Sequence, residues 1–271
     1  MNRGVDESGN EEISLPPIRT PGPIKIWKTV DGFKTIGGVS KPVKIVIQEI
    51  PEDRYEDMLD HFTTHFVNDE PCCVSIKLKD DPVGIKDLRN IWKIILKQGL
   101  SVGAFVDDPK GGKPEIAGGN ILGYENKNDD RKIDKYKMQP SAAKNLVTPA
   151  LELYKEAKVY DYYNTDKHLF ALGLIVQSSY RGHHLGAHIL SVREKIGREY
   201  KIPMTSTPFS STISQKSAAR CGFEVILSRD YDQILDEQGK EVFPGIKFKA
   251  MQALRNFLST HFKSYLVVLS T

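Results

Sequence analysis

Cysteine is scarce in this chain: three among 271 residues, with Cys72 and Cys73 side by side and Cys221 far away. An odd count without metal-ligand spacing reads as reduced thiols and argues against a zinc knuckle. Net charge is small as well. Thirty-eight basic residues against thirty-five acidic ones leave +3, too little to suggest a nucleic-acid partner or a membrane surface. Long apolar runs are missing; the late stretch Tyr265 to Leu269 is far too short to span a bilayer. Met1 to Glu12 is polar and acidic and so is no signal peptide. There is no internal repeat and no linker between two folded halves. These absences read as a cytoplasmic protein, expected to be a monomer.

What is present suits one folded unit. Hydrophobic residues make up 39% and charged residues 27%, enough apolar material for a core. Met1 to Pro23 carries Pro16, Pro17, Pro21 and Pro23 and reads as a flexible tail, leaving residues 24–271 as the domain. Ile24 to Trp27 and Val43 to Ile47 read as strands. Tyr55, Leu59, Phe62 and Phe66 follow at helical spacing after an acidic start, and a second helix is expected over Val83 to Gln98, with Gly99 as its stop. Leu100 to Val106 and Ile116 to Tyr124 form a hairpin around the Asp-, Pro- and Gly-rich turn Asp107 to Gly112. Lys127 to Lys137 is charge-dense and reads as a solvated loop. Thr148 and Pro149 supply an N-cap and first-turn pair for a helix to about Val159. Leu169 to Val176 has no alternation, as expected of a central strand buried on both faces. Ile202 to Thr207, Phe223 to Leu227 and Pro244 to Phe248 read as strands, and Ser210 to Arg220 as a helix ended by Gly222.

The segment from Val176 to Ala187 (VQSSYRGHHLGA) is the most informative. A buried strand ends in a turn of small and polar residues, and an amphipathic helix follows. The first N–H groups of a helix lack intrahelical partners, and the dipole adds positive potential, so such a start can bind a pyrophosphate. Arg181 can add a charge-assisted contact. An ordinary strand–turn–helix connection has the same local signature. The spacing narrows the choice: a strand valine, four residues, then Arg-x-x-x-x-Gly resembles the acetyl-CoA-binding motif of the GNAT superfamily of N-acetyltransferases. The resemblance covers roughly Val43 to Phe248. It implies that the backbone of Leu174, Ile175 and Val176, with the amides of Arg181, Gly182, His183, His184, Leu185, Gly186 and Ala187, holds acetyl-CoA. One position departs from the family: His184 stands where its middle glycine is usual.

Two further stretches resemble the insect arylalkylamine N-acetyltransferases. Phe66-Val67-Asn68-Asp69-Glu70-Pro71 is similar to their F-x-x-x-E-P motif, whose glutamate is the general base, a role that falls on Glu70. Read alone, Glu70 is a solvated acid before a proline. Ser210 and Ser214, ahead of Gly222-Phe223, resemble the serine pair of the same enzymes. On a helix they are i and i+4 and share one face, while Ser211 is the capping candidate. His183, His184 and His188 crowd one helix start, but no acidic or cysteine ligand is nearby in sequence, so no metal is expected. Cys221 reads as a small core residue, Gly111-Gly112-Lys113 as a hairpin turn, and Tyr160, Tyr162 and Tyr163 as packing residues.

The expectation is a single α/β GNAT domain with a mixed, mostly antiparallel sheet splayed at the acetyl-CoA site. The resemblance implies acetylation of a small arylalkylamine of the dopamine, tyramine, octopamine or serotonin type. Agmatine or polyamines, a protein lysine, or a non-catalytic acyl-CoA-binding role stay open.

Overall fold

The computed structural model describes residues 13–128, 136–161 and 165–257. Strands β1 (Ile26–Ile36) and β2 (Val39–Glu49) form a long antiparallel hairpin, so the expected strands at Ile24 to Trp27 and Val43 to Ile47 mark only parts of each. Helix α1 (Tyr55–His61) runs through a π-helical turn (Phe62–Phe66) into the short α2 (Val67–Asp69). Two more helices follow, α3 (Pro71–Ser75) and α4 (Pro82–Leu96). Gly99, at φ 77°, ends the turn after α4, and Leu88, Ile91, Trp92 and Ile95 are buried as their spacing requires. Strands β3 (Val102–Val106) and β4 (Glu115–Asn126) pair as the expected hairpin.

Helix α5 spans Ala142–Glu156 and corrects the expected start at Thr148. Pro149 sits inside it, although it has no N–H for the preceding turn. The helix starts earlier because Asp81 receives its first N–H: Asp81 Oδ2 accepts from Ala142 N at 2.7 Å while Oδ1 accepts from Gly84 N at 3.0 Å. One carboxylate thus serves the starts of α4 and α5, a tertiary arrangement that local sequence does not reveal.

The rest of the chain contains β5 (Lys167–Val176), α6 (Leu185–Tyr200), β6 (Met204–Phe209), α7 (Thr212–Arg220), β7 (Glu224–Asp230) and β8 (Ala250–Phe257). The expected strand at Pro244 to Phe248 is not one; Gly245 turns there at φ 72° and the last strand begins at Ala250. All eight strands form one sheet in the order β1-β2-β3-β4-β5-β6-β8-β7. Every pairing is antiparallel except β5 with β6. One face packs on α6 through Leu169, Ala171, Ile189, Val192 and Ile196. The other packs on α1 and α4 through Phe62, Leu88, Trp92 and Ile175.

Part of the expected tail is anchored. Ile18 N and Arg19 N both donate to Gln98 O at 3.0 Å, and Arg19 Nε donates to the buried Glu49 Oε2 at 2.7 Å. Arg19 Nη2 also donates to Gly22 O and Pro23 O, so Ile18 to Pro23 lie along the domain. Met1 to Glu12, Tyr162, Tyr163, most of Lys127 to Lys137, and Tyr265 to Leu269 lie outside the described residues. Among the described residues, no helix is long and apolar enough to cross a membrane.

Candidate functional site

The sheet opens between β5 and β6. Only His168 with Met204 and Leu169 with Thr205 pair; beyond them β5 stays with β4 and β6 stays with β8. From Phe170 onward, the polar backbone groups of β5 that face β6 have no ladder partner. Such groups need one from elsewhere. A ligand with amides of its own meets that need.

Strand β5 is also bulged. Its register with β4 slips between Asn120 and Leu122, where Leu174 and Ala171 are the partners. The sequence shows no apolar–polar alternation because both faces of the strand pack in apolar clusters, as expected of a central strand. Leu169 and Ala171, then Leu174 and Val176, face the α6 side, while Phe170, Leu172 and Ile175 face the other. The strand does alternate, with its parity changed once at the bulge. Gly173 sits there at φ 113°, and a Cβ on it would come within 2.9 Å of Phe62 Cε1. Both bulge carbonyls are taken by side chains: Trp92 Nε1 donates to Leu172 O at 2.9 Å and Asn120 Nδ2 to Gly173 O at 2.7 Å.

At the C-terminal end of β5 the chain makes a 3-10 turn at Ser178–Tyr180 and reaches α6. His184 is the N-cap of α6 at φ 58°, ψ 22°, left-handed, and its side chain is exposed and makes no cap bond. A glycine reaches that conformation freely, and histidine is among the residues that tolerate it. The first N–H to find a helical carbonyl is that of His188, which donates to His184 O. Among the described residues the N–H groups of Leu185, Gly186 and Ala187 have no partner, and they stand at the positive end of a sixteen-residue helix, where negative charge is favoured. Gly186 lies against Leu174 and Val176.

Arg181 is engaged elsewhere. Its Nε donates to Val176 O at 2.9 Å, and its Nη1 and Nη2 donate to Asp69 Oδ1 and Oδ2 at 3.1 and 2.8 Å. Arg181 thus ties the end of α2 to the end of β5, ahead of the start of α6. The three histidines diverge: His183 stacks on Phe33, His184 faces solvent, and His188 Nδ1 lies 3.0 Å from the Lys28 ammonium. Among the described residues no group of three or more side chains has metal-ligand geometry.

Next to Asp69, Glu70 is half-buried. Proline at the following position makes it extended, and its Oε2 accepts from Cys73 N at 2.7 Å as the N-cap of α3. Burial raises the pKa values of Cys72, Cys73 and Tyr231; the nearby Glu70 carboxylate adds to the rise of both thiols, and for Tyr231 Cys72 adds more than Glu70 does. These thiols are therefore poor nucleophiles, and burial likewise raises Cys221. Tyr231 joins Glu70's surroundings to the serine loop: its hydroxyl donates to Ser210 O at 2.6 Å and lies 3.4 Å from Cys72 Sγ.

The serines are arranged differently from the sequence expectation. Helix α7 starts at Thr212, so Ser210 precedes it and shares no helix face with Ser214. Ser211 is the N-cap, as expected. Ser214 completes a capping box, with Ser214 N donating to Ser211 Oγ at 3.1 Å and Ser211 N donating to Ser214 Oγ at 3.3 Å. Sequence reasoning passed over Asp69, Asn120, Trp92 and Tyr231, since only the fold brings each to its partner. Tyr160 donates to Glu125 at 2.6 Å beside the fully buried His168, which burial keeps from protonating readily.

No family model and no curated protein matches the sequence. Solved structures do match. A protein of the yellow fever mosquito Aedes aegypti assigned as arylalkylamine N-acetyltransferase 7 is 26% identical, with a TM-score of 0.77 over 87% of this chain and 96% of that one. Arylalkylamine N-acetyltransferase 2 of the same mosquito is 20% identical, with a TM-score of 0.68 over 79% and 99% of the two chains. Drosophila melanogaster polyamine N-acetyltransferase, which forms N-acetylagmatine, is 15% identical, with a TM-score of 0.58 over 79% and 99%. The splayed sheet, the open helix start and this shared architecture give the chain the GNAT acetyltransferase fold, and it resembles the insect arylalkylamine N-acetyltransferases.

Proposed function

We propose that the chain is an acetyl-CoA-dependent N-acetyltransferase acting on the primary amine of a small arylalkylamine, of the dopamine, tyramine, octopamine or serotonin type. One observation carries the reading: a half-buried glutamate, Glu70, is held near the open start of α6 by the Asp69–Arg181 pair and connected to Ser210 through Cys72 and Tyr231. A binding module has no need of that constellation.

The residues fit the co-substrate. The open N–H groups of Leu185, Gly186 and Ala187 suit its pyrophosphate, and the unpaired edge of β5 from Leu174 to Val176 suits its amide-bearing arm. When bound, acetyl-CoA supplies the acetyl group as a thioester. Glu70 takes a proton from the substrate ammonium, directly or through water. The free amine then forms its bond to the acetyl carbon as the carbon–sulfur bond breaks. Ser210, assigned by resemblance, gives a proton to the departing sulfur and regains one from the nitrogen, which sheds its second surplus proton as it becomes an amide. Ser214, assigned with it by resemblance, has its hydroxyl in the capping box.

Glu70→Gln tests the reading, because an amide oxygen can still accept from Cys73 N–H but cannot take the proton. In an acetyl-CoA assay that follows free thiol over a panel of arylalkylamines, agmatine, polyamines and lysine peptides, turnover should fall ~10²–10⁴-fold. Acetyl-CoA affinity and folding should stay near those of the parent. Full turnover by the variant would remove Glu70 from the mechanism. Turnover confined to agmatine or polyamines would move the substrate class, and none with any amine would leave a binding protein.

A further inference from the structure

Beneath the opening of the sheet lies a charge that the acyl-transfer scheme does not use. Arg193, on the inner face of α6, is 1% exposed. Among the described residues it meets no acidic side chain; its partners are neutral. Its Nε donates to Asn120 Oδ1 at 3.0 Å, and its Nη1 to Thr205 Oγ1 at 3.2 Å and Thr207 Oγ1 at 3.0 Å. Burial lowers its pKa to about 9, which leaves it charged at neutral pH. An interior cation without a counter-ion is costly, by several kcal/mol, and hydrophobic packing at this site would serve stability better.

The partners indicate what the charge does. Asn120, holding Arg193 with its oxygen, uses its nitrogen to hold the Gly173 carbonyl at the bulge. Thr205 Oγ1 donates to Leu169 O at 2.7 Å, at the last paired position of β5 and β6. Thr207 stands on β6 beyond the fork. One guanidinium therefore pins both sides of the opening: β5 through Asn120 and Thr205, and β6 through both threonines. Its planar fork meets three acceptors that a lysine could not reach together.

We propose that Arg193 is a positioning residue for acyl transfer, acting through Asn120 on the β5 bulge to set where the thioester carbonyl lies and how strongly it is polarised. The inference rests on the acetyltransferase reading above. Asn120→Asp separates it from a purely structural role. A carboxylate there pairs with the buried guanidinium, so the fold should be as stable or more so, but it has no N–H for the Gly173 carbonyl. The expected result is an unchanged or raised Tm, acetyl-CoA affinity within about threefold, and kcat lowered about tenfold or more. Arg193→Lys should lower kcat in the same way.

A second readout needs no amine. The infrared carbonyl stretch of acetyl-CoA, isotope-labelled at the thioester, should move to lower frequency on binding the parent and return toward the free value in both variants. Should Asn120→Asp be folded, with parent kcat and parent carbonyl frequency, the proposal is overturned. A parent that acetylates no amine yet shifts the carbonyl, with the shift lost in the variants, would sink the enzyme reading and keep Arg193's role. A parent that binds acetyl-CoA without any shift would sink Arg193's role whatever the turnover.

Discussion

At the scale of single residues, His184 is where this chain differs from its resemblance. The family's glycine is explained by the backbone: the N-cap of α6 needs φ 58°, which costs an L-residue roughly 1 kcal/mol or more. His184 accepts that strain with its ring in solvent, clear of the open N–H groups. His184→Gly should raise stability by about 1 kcal/mol in urea unfolding and change acetyl-CoA affinity by less than about tenfold in calorimetry. A much larger gain in affinity would mean that the imidazole obstructs the start of α6. A loss confined to acidic pH would make the ring a phosphate ligand. Arg181, expected from its charge and the motif spacing to meet a phosphate, pairs with Asp69 and donates to the Val176 carbonyl.

At the scale of elements, helix starts decide much of the site. Glu70 caps α3, Asp81 serves α4 and α5, and Ser211 with Ser214 caps α7. Ser214→Ala should therefore cost ~1 kcal/mol of stability, read from urea unfolding; unchanged stability would show that its hydroxyl does not matter to the cap. Helix α7 depends on this cap because it is nine residues long, too short to be stable on propensity alone. The bulge in β5 is the other decisive element. It redirects Leu174 and Val176 toward α6, against which Gly186 fits closely, on the stretch of β5 beyond its last pair with β6.

At the scale of the whole molecule, stability depends on buried histidines. His61 is 8% exposed, and burial, with His65 adding repulsion, lowers its pKa to about 4 from 6.5. Burial also lowers His168. Between pH 6.5 and 4 the unfolded chain binds a proton that folded His61 refuses. The unfolded state is thus favoured as pH falls through this window, and the contribution is complete above it. The loss is on the order of 1 kcal/mol per pH unit. Urea midpoints should drop between pH 7 and 5, and His61→Leu should show a shallower drop. An equal drop in that variant would mean that His61 does not carry the effect.

The sequence by itself determined the α/β class, most of the elements, the helix start that offers N–H groups to an anion, and the family to which the site was compared. These follow from local causes: periodicity, turn residues and motif spacing. Glu70 was legible only through its motif, because an isolated acid before a proline has no local mark of function. Tertiary structure alone decided that α5 begins at Ala142 rather than Thr148 and that the last strand is Ala250–Phe257 rather than Pro244 to Phe248. The same holds for the Tyr231–Ser210 bond and for the Arg193–Asn120–Gly173 link. Each depends on a partner tens of residues away: Asp81 for α5, β6 and β7 for the last strand, Tyr231 for Ser210, and Asn120 for Arg193. A side chain's partner across the fold leaves no trace in its neighbours along the chain, because hydrogen bonds are short in space whatever their separation in sequence.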